Sequence, residues 1–328
     1  MKKHLKLIIT FSLVLFAFSS CKAKTIDTTG KIQIVSSIFP EYDWVQNITG
    51  LNNDKIIHKL LVKNGVDIHS FQPSANDIVN IANADILIYV GGESDKWISD
   101  ALKNAQNKNM IVIKLMDLLK NNLKEEEIIE GMESEESEES ETNEEDDEIE
   151  YDEHIWFSID NVRIAVKEIA NALCTLDPEN QDTYKAKLQT YLAQLNLLES
   201  KYKNVISSAS KNTIIVCDRY PFRYLSDYFG LNYYAAFAGC SAETEASFET
   251  VTFLANKIDE INTNKVLILE NSNDKLAKTI VRASKNHKLA DILVLDSMQS
   301  TTLVNIMNGK SYISTMESNL EILKQVLN

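Results

Sequence analysis

The sequence predicts an α/β fold of two lobes, each a mostly parallel sheet flanked by helices, joined by a long connecting helix. Short β-branched runs alternate with helix-compatible stretches from residue 31 to about 120, and the same alternation returns from about residue 213. Between these two segments, apolar residues recur at helical spacing. The cleft between two such lobes is where a ligand is expected to bind.

The first lobe is expected to span residues 31–157. Runs rich in β-branched residues predict strands at 32–38, 56–62, 84–90 and 110–115. Polar stretches that suit helices lie between them, as at 75–82 and 96–106. Strands that alternate with helices in this way indicate a parallel sheet that is covered on both faces.

An acidic tract interrupts this lobe at about 124–150. Between Glu125 and Glu153 the sequence has 18 Asp and Glu residues and no Lys or Arg. Because like charges repel and almost nothing there can be buried, we expect a disordered loop. The formal net charge is −15 for the whole chain and would be +3 without these residues. The remainder is therefore nearly neutral and offers no basic patch for nucleic acid.

The second half of the chain begins with two helical patterns. We expect a helix at 158–174 and interpret 158–180 as the connection between the lobes. A second helix follows Pro178, and its long apolar stripe is interpreted as core packing. The second lobe, 181–328, is expected to contain strands at 213–217, 232–237, 266–269 and 292–295, and helices at 220–229, 247–258, 274–285 and 317–327.

The first residues have the pattern of an export signal. Lys2, Lys3 and Lys6 flank the start of an apolar run at 7–18, which is too short to span a membrane comfortably. Small residues then lead to Cys21, an order that resembles a bacterial lipobox, in which the cysteine is lipidated. We expect a signal peptide at 1–20, lipidation of Cys21 and a polar tether at 21–30. Ordinary signal cleavage beside an incidental cysteine is the alternative.

Three further cysteines, Cys174, Cys217 and Cys240, are not spaced like a zinc cluster. Export from the cytoplasm permits a disulfide bond. A bridge between Cys217 and Cys240 and a set of three buried thiols are therefore both left open.

Two histidines lie where a ligand site is expected. His69 is in a loop between a predicted strand and a predicted helix, and ligands gather beyond the carboxyl ends of strands in open α/β sheets. His154 directly follows the acidic tract, which could collect cations. A neutral imidazole is a good ligand for zinc. His58 and His287 are interpreted as structural or exposed.

Common motifs of enzymes are missing from the sequence. It has no G-x-G-x-x-G after a strand, no G-x-x-x-x-G-K-[ST], no H-E-x-x-H and no G-x-S-x-G. We therefore expect a binding protein and not an enzyme. A metallohydrolase, in which a metal activates water, is a weaker alternative because no convincing general base lies beside a histidine pair.

These segments together resemble the zinc- and manganese-binding substrate-binding lipoproteins of ABC importers, the cluster A-I group (periplasmic solute-binding protein family 9). The resemblance runs from about residue 32 to the C-terminus. The family's first metal histidine lies in a D-P-H-x-[FY]-x-P loop, and residues 67–73 read D-I-H-S-F-Q-P. Its second lies in a D-x-H-x-W motif, and residues 152–156 read D-E-H-I-W. The resemblance implies that His69 and His154 bind the metal.

The third family ligand is a His or Glu, and Arg219 falls at its position in this chain. A guanidinium stays protonated and has no free lone pair, so it cannot bind a metal ion. For the fourth ligand the resemblance implies Asp296, and it offers Glu245 and Glu270 as further candidates. Salt bridging, for example to a buried Arg219, is the alternative role of these carboxylates.

The resemblance implies a lipid-anchored protein on the extracytoplasmic face of a bacterial membrane, which binds a divalent ion and delivers it to an ABC permease. We expect a monomer that binds zinc, with manganese as the alternative, because two histidines and one carboxylate suit either ion. Other hypotheses stay open: a manganese- or iron-binding homologue, a surface adhesin on the same fold, and a changed ligand, such as an anion or a metal chelate, marked by Arg219.

Overall fold

The computed structural model describes residues 30–51, 53–133, 150–241 and 245–328. The expected signal peptide, the lipidation of Cys21 and nearly all of the tether lie outside the described residues, as do positions 134–149 of the acidic tract. Residues Lys31–Asn328 form one compact unit, which is the part described below. None of the described helices is both long enough and apolar enough to cross a membrane.

The first sheet consists of the four strands β1 (Ile32–Ser36), β2 (Ile56–Leu60), β3 (Ile86–Tyr89) and β4 (Ile111–Lys114). All pairings are parallel, and the strand order is β2-β1-β3-β4. Every residue of β3 is buried, because a parallel sheet with helices on both faces leaves neither face in water. The parallel sheet predicted for the first lobe is confirmed, with strands slightly shorter than the apolar runs.

The second sheet repeats this arrangement with β5 (Thr213–Tyr220), β6 (Asn232–Ala238), β7 (Lys265–Leu269) and β8 (Asp291–Leu295). Its strands are again parallel, in the order β6-β5-β7-β8. The carboxyl ends of parallel strands meet at one edge of the sheet. The loops that follow these strands are therefore brought together within each lobe, here called the first lobe (β1–β4) and the second lobe (β5–β8).

Helices pack on both sheets, and several begin at a residue whose hydroxyl accepts a backbone N–H. Ser74 accepts from Asp77, and Ser158 accepts from Asn161, which satisfies donors that the first turn of a helix leaves free. The helices are α1 (Phe39–Thr49), α2 (Ala75–Ala82), α3 (Trp97–Lys103), α4 (Leu115–Leu118), α5 (Ile159–Leu176), α6 (Gln181–Ser208), α7 (Arg223–Phe229), α8 (Phe248–Ile261), α9 (Lys275–Ala283), α10 (Leu303–Met307) and α11 (Tyr312–Val326).

The sequence patterns do not predict α1, although it is buried along most of its length. Its start depends on Glu41, whose carboxylate accepts the backbone N–H groups of Ser37 at 2.8 Å and Ile38 at 3.2 Å. Glu41 thus caps the start of the helix, as an acidic residue in the first turn often does. Its side chain is buried in the folded protein. The structure also starts α11 at Tyr312, earlier than the predicted 317.

The two lobes are linked by α6, a helix of 28 residues. It packs against α1 and α5 and also against α7 and α11. Its stripe of large side chains is buried, as the sequence predicts, and Tyr202 donates a hydrogen bond of 2.7 Å to the carbonyl of Met316. The connection expected at 158–180 consists of α5 and a short turn at Pro178–Asn180, and the helix that spans both lobes follows it.

The beginning of the acidic tract differs from the expected disordered loop. Glu126 donates its N–H to the carbonyl of Glu150, and Glu133 donates its N–H to Ala236 in β6. Met132 is buried. Residues 124–133 thus have fixed partners, because a buried methionine and backbone pairing offset the local repulsion of like charges.

Candidate metal site

His69 is held at the carboxyl end of the first sheet by a turn, Ile68–Ser70. The carboxylate of Asp67 caps this turn and accepts the N–H of His69 at 3.0 Å. On the ring, Nδ1 lies 2.6 Å from the hydroxyl of Ser94. In the tautomer that binds a metal through Nε2, Nδ1 carries the proton and donates it to this hydroxyl.

His154 is fully buried at the start of another turn, Ile155–Phe157. The carboxylate of Asp152 accepts two hydrogen bonds of 2.8 Å from it, one from its backbone N–H and one from Nδ1. Tyr224 donates to the carbonyl of Asp152 at 3.1 Å and so fixes this segment against the second lobe. An Asp that accepts from Nδ1 leaves Nε2 with its lone pair free, an arrangement typical of metal-binding histidines.

The two free ring nitrogens converge. His69 Nε2 and His154 Nε2 lie 3.4 Å apart, with the ring planes inclined at 52°. Two nitrogens that bind one tetrahedral zinc ion at about 2.0–2.1 Å are about 3.3–3.4 Å from each other. The histidine pair therefore already has the spacing that one zinc ion requires.

The pKa values of the two rings move in opposite directions. Burial and, to a lesser extent, the charge of His154 lower the pKa of His69 to about 4. Burial also opposes protonation of His154, but the carboxylate of Asp152 raises the pKa of that ring above its ordinary value. A metal ion binds only neutral imidazole, so His69 is ready for binding at neutral pH while His154 exchanges any ring proton at Nε2 for the ion.

Arg219 does not enter this cluster as a ligand. Its guanidinium donates to the carboxylate of Asp67 at 2.7 Å. Burial alone would raise the pKa of Asp67, but Arg219 and His69 hold it below its usual range. The salt bridge that the sequence left open for Arg219 thus forms with Asp67, a residue of the His69 loop.

Among the described residues, none of the three candidate carboxylates belongs to the group of potential ligands that contains both histidines. Asp296 pairs with Lys310 at 2.5 Å and accepts the N–H of Met298 at 2.8 Å. Glu270 accepts the N–H and the hydroxyl of Ser297 at 2.6 and 2.7 Å, and burial raises its pKa to about 7. Glu245 is exposed. All three have positions outside the group that surrounds His69 and His154.

Two residues that the sequence analysis does not assign to the site lie beside the histidines. Gln299, in the loop after β8, places Nε2 3.4 Å from His69 Nε2 and in close contact with His154 Nε2. Cys240, in the loop after β6, has its sulfur within 4.8 Å of both rings. Among the described residues, His69, His154 and Cys240 are the only such group of three His, Cys, Asp or Glu side chains.

A sequence signal for these two residues exists, but it is weak. Both lie in the loops after predicted strands, Cys240 after 232–237 and Gln299 after 292–295, where ligands of α/β proteins often bind. Which strand ends adjoin each other depends on the strand order, which the sequence does not state. The Cys217–Cys240 disulfide that was left open does not form, since all three cysteines in the described part are free thiols.

Two parallel sheets joined by a long helix, with imidazoles converging beside the strand ends, define a two-lobed metal-binding protein. Residues 34–326 match the model of one family, described as "Zinc-uptake complex component A periplasmic". The chain belongs to this family, whose description names a component of a zinc-uptake complex.

Two similar curated proteins have names that refer to zinc. The chain is 27% identical over 327 residues to the zinc-binding lipoprotein AdcA of Streptococcus pneumoniae, covering 98% of this chain and 61% of that protein. It is 29% identical over 318 residues to the high-affinity zinc uptake system protein ZnuA of Bacillus subtilis, covering 97% and 94%. This chain thus spans less than two thirds of the length of AdcA.

A solved structure shows the same fold. The Zn(II)-bound ZnuA-like domain of Streptococcus pneumoniae AdcA matches with a TM-score of 0.68 at 24% sequence identity. The match covers 91% of this chain and 99% of that domain. At this identity the similarity shows the fold alone. The metal ligands of this chain follow from its own residues.

Proposed function

We propose that this chain binds one zinc ion between His69 and His154 and delivers it to the permease of an ABC importer. The observation that carries this proposal is the 3.4 Å separation of the two Nε2 atoms, which matches one tetrahedral zinc ion. Hydrogen bonds from both Nδ1 atoms hold the rings in this orientation before the ion arrives. An adhesin on the same fold would need no such convergence of imidazoles.

Zinc is favoured over manganese by the chemistry of the nearby side chains. Manganese prefers carboxylate and other oxygen ligands, whereas imidazole and thiolate favour zinc. In the part of the chain that the structure describes, the group of potential ligands that contains both histidines has Cys240 as its third member and no Asp or Glu. Asp296 and Glu270, the carboxylates of the neighbouring loops, are engaged with Lys310 and Ser297.

The ion is cargo, and no bond of a substrate is made or broken. Release requires that the loops around the ion move slightly, because α6 packs against both lobes and resists a large hinge motion. The loop 296–299 of the second lobe is the element to move, since Gln299 lies over the ring nitrogens. Docking on the permease would supply the energy for this shift.

We further propose that the protein works as a monomer anchored at the extracytoplasmic face through a lipid on Cys21. The basic residues, the short apolar run and the small residues before Cys21 support this anchor. The anchor would keep the zinc-loaded chain close to its permease in the membrane, which raises the effective concentration of the partner.

Metal content and zinc titration calorimetry on the purified full chain test the proposal, with His69→Ala and His154→Ala beside the wild type. We expect one tightly bound zinc ion in the wild type and its loss in both variants. His287→Ala is the matched control, because His287 hydrogen-bonds to Asn262 away from the site. A wild type that binds no zinc would overturn the proposal, as would equal binding by all variants.

A further inference from the structure

We propose that the thiolate of Cys240 is the third zinc ligand and takes the place that Arg219 leaves vacant. This inference rests on the proposed function, because it concerns the same ion. It adds a ligand type that the resemblance does not imply, since the family position carries His or Glu. Three features of the second lobe support it: the strand order, a glycine beside His154, and the position of the sulfur.

The strand order places Cys240 beside Arg219, at whose position the resemblance implies a metal ligand. Strands β5 and β6 are parallel neighbours, with Arg219 opposite Phe237 and Tyr220 opposite Ala238. Cys240 follows two residues later, so it emerges at the same edge of the sheet as the end of β5. A ligand lost from the end of one strand can therefore be replaced from the end of the next strand.

Gly239 lets this loop lie directly against the buried histidine. A Cβ atom added at Gly239 would be 3.1 Å from Cε1 and 3.2 Å from Nδ1 of His154, and 2.9 Å from the carbonyl oxygen of Tyr220. These contacts are tighter than ordinary van der Waals contacts. The backbone of Cys240 is also tied down, because its N–H donates to the carboxylate of Glu126 at 2.9 Å.

The sulfur is within reach of a shared ion. It lies within 4.8 Å of one nitrogen of each ring. In a tetrahedral zinc site with sulfur at about 2.3 Å and nitrogen at about 2.0–2.1 Å, the sulfur–nitrogen distance would be about 3.6 Å. A rotation of the Cys240 side chain or a small loop shift covers this difference. The ion would then have two nitrogens and one sulfur, with a fourth position for water or another oxygen.

Binding converts the thiol into a thiolate with balanced charges. The S–H bond breaks, the proton passes to solvent, and the sulfur–zinc bond forms with the electron pair that the proton leaves behind. A bound zinc ion deprotonates a coordinating thiol outright. No oxidant or reductant takes part in this step.

The other two cysteines have different positions. Cys217 is buried among apolar side chains of the second sheet. Cys174 lies on α5, with its sulfur 3.8 Å from the carbonyl of Gln181. Neither belongs to the group around the histidines, so Cys174→Ser serves as a matched control for Cys240→Ser.

Cobalt(II) in place of zinc gives a direct readout of the ligand, because a thiolate bound to cobalt shows an intense charge-transfer absorption in the near ultraviolet. We expect this absorption in the full wild-type chain and in Cys174→Ser, and its loss in Cys240→Ser. Zinc affinity of Cys240→Ser should fall about 100-fold or more, since even outer partners of metal ligands contribute 10–100-fold.

The outcomes separate this inference from the proposed function. Cobalt and zinc binding by the wild type without a thiolate absorption would overturn the role of Cys240 and leave the histidine site intact. An unchanged absorption in Cys240→Ser would overturn it as well. Failure of the wild type to bind either metal would remove the proposed function itself. The wild-type spectrum decides the question even where Cys240→Ser folds poorly.

Discussion

The guanidinium of Arg219 donates a hydrogen bond of 2.7 Å to the carboxylate of Asp67, and this bond joins the end of β5 in the second lobe to the loop that holds His69 in the first. The other oxygen of Asp67 accepts the N–H of His69. Arg219 thus stands where the resemblance implies a metal ligand, and its side chain contacts the loop that holds His69.

We expect Arg219→Gln to lower zinc affinity about tenfold, as the loss of an outer partner of a metal ligand does. The fold should persist, because Asp67 keeps its bond to His69. Calorimetric titration of Arg219→Gln, Asp67→Asn and the double variant measures the coupling between the two residues. Lys103→Gln, which breaks an exposed ion pair with Asp100, is the control. Strictly additive effects would show that Arg219 and Asp67 influence zinc affinity independently of each other.

A second prediction concerns the tautomer of His154. The carboxylate of Asp152 accepts from Nδ1, so it keeps the lone pair of Nε2 free for a metal ion. In Asp152→Asn the amide can donate to Nδ1, which moves the ring proton to Nε2. We expect zinc affinity to fall about 10- to 100-fold in calorimetry, while the exposed Asp100→Asn leaves it unchanged. Equal affinities would mean that Asp152 does not orient this ring.

Asp296→Asn tests whether Asp296 is a zinc ligand, as the resemblance implies, or only the partner of Lys310. Because Asp296 is paired with Lys310, we expect the variant to bind zinc with wild-type affinity. The free energy of unfolding should fall by up to about 1 kcal/mol, the range of a partly exposed ion pair. Urea titration and calorimetry measure the two quantities. A large loss of zinc affinity would instead place Asp296 at the ion.

His58 provides a pH-dependent test of the first lobe. It hydrogen-bonds to Ser36 through Nε2 and stacks on Tyr42, and its buried Nδ1 has no partner among the described residues. Burial lowers its pKa from 6.5 to about 3. Between pH 6.5 and about 3, His58 is therefore protonated in the unfolded chain and neutral in the folded chain. The contribution of His58 to stability is thus fully present above pH 6.5 and is lost as the pH falls toward 3.

We expect His58→Gln to remove this slope, which is up to about 1.4 kcal/mol per pH unit for one proton. Urea titrations of the wild type and the variant at several pH values below 6.5 measure this slope. As the pH falls, the unfolding free energy of the wild type should approach that of the variant. The variant can be less stable at pH 7 without affecting the test, since only the slope matters. Parallel curves would show that the ring takes up its proton in the folded state.

The fold could be predicted from the sequence because its signals are local. Each strand is a short apolar run and each long helix a periodic stripe, and both patterns are visible within about ten residues. The helix α1 was not predicted, because its start depends on buried hydrogen bonds from Ser37 and Ile38 to Glu41. A periodic apolar pattern does not show such bonds. The disordered loop predicted from the acidic composition was wrong for residues 124–133. Hydrogen bonds with Ala236 and Cys240 order this segment, although its composition favours disorder.

The sequence by itself determined the two parallel sheets, the presence of a long helix that links the lobes, and the choice of His69 and His154 as candidate ligands. These follow from periodicity and from residues placed just after strands. Only the tertiary structure decided that the Nε2 atoms of the two rings lie 3.4 Å apart, and that Cys240 lies nearby. It also decided that Arg219 pairs with Asp67 and Asp296 with Lys310. The physical reason is that such contacts depend on which strand ends are neighbours, and strand order is a property of the packed sheet.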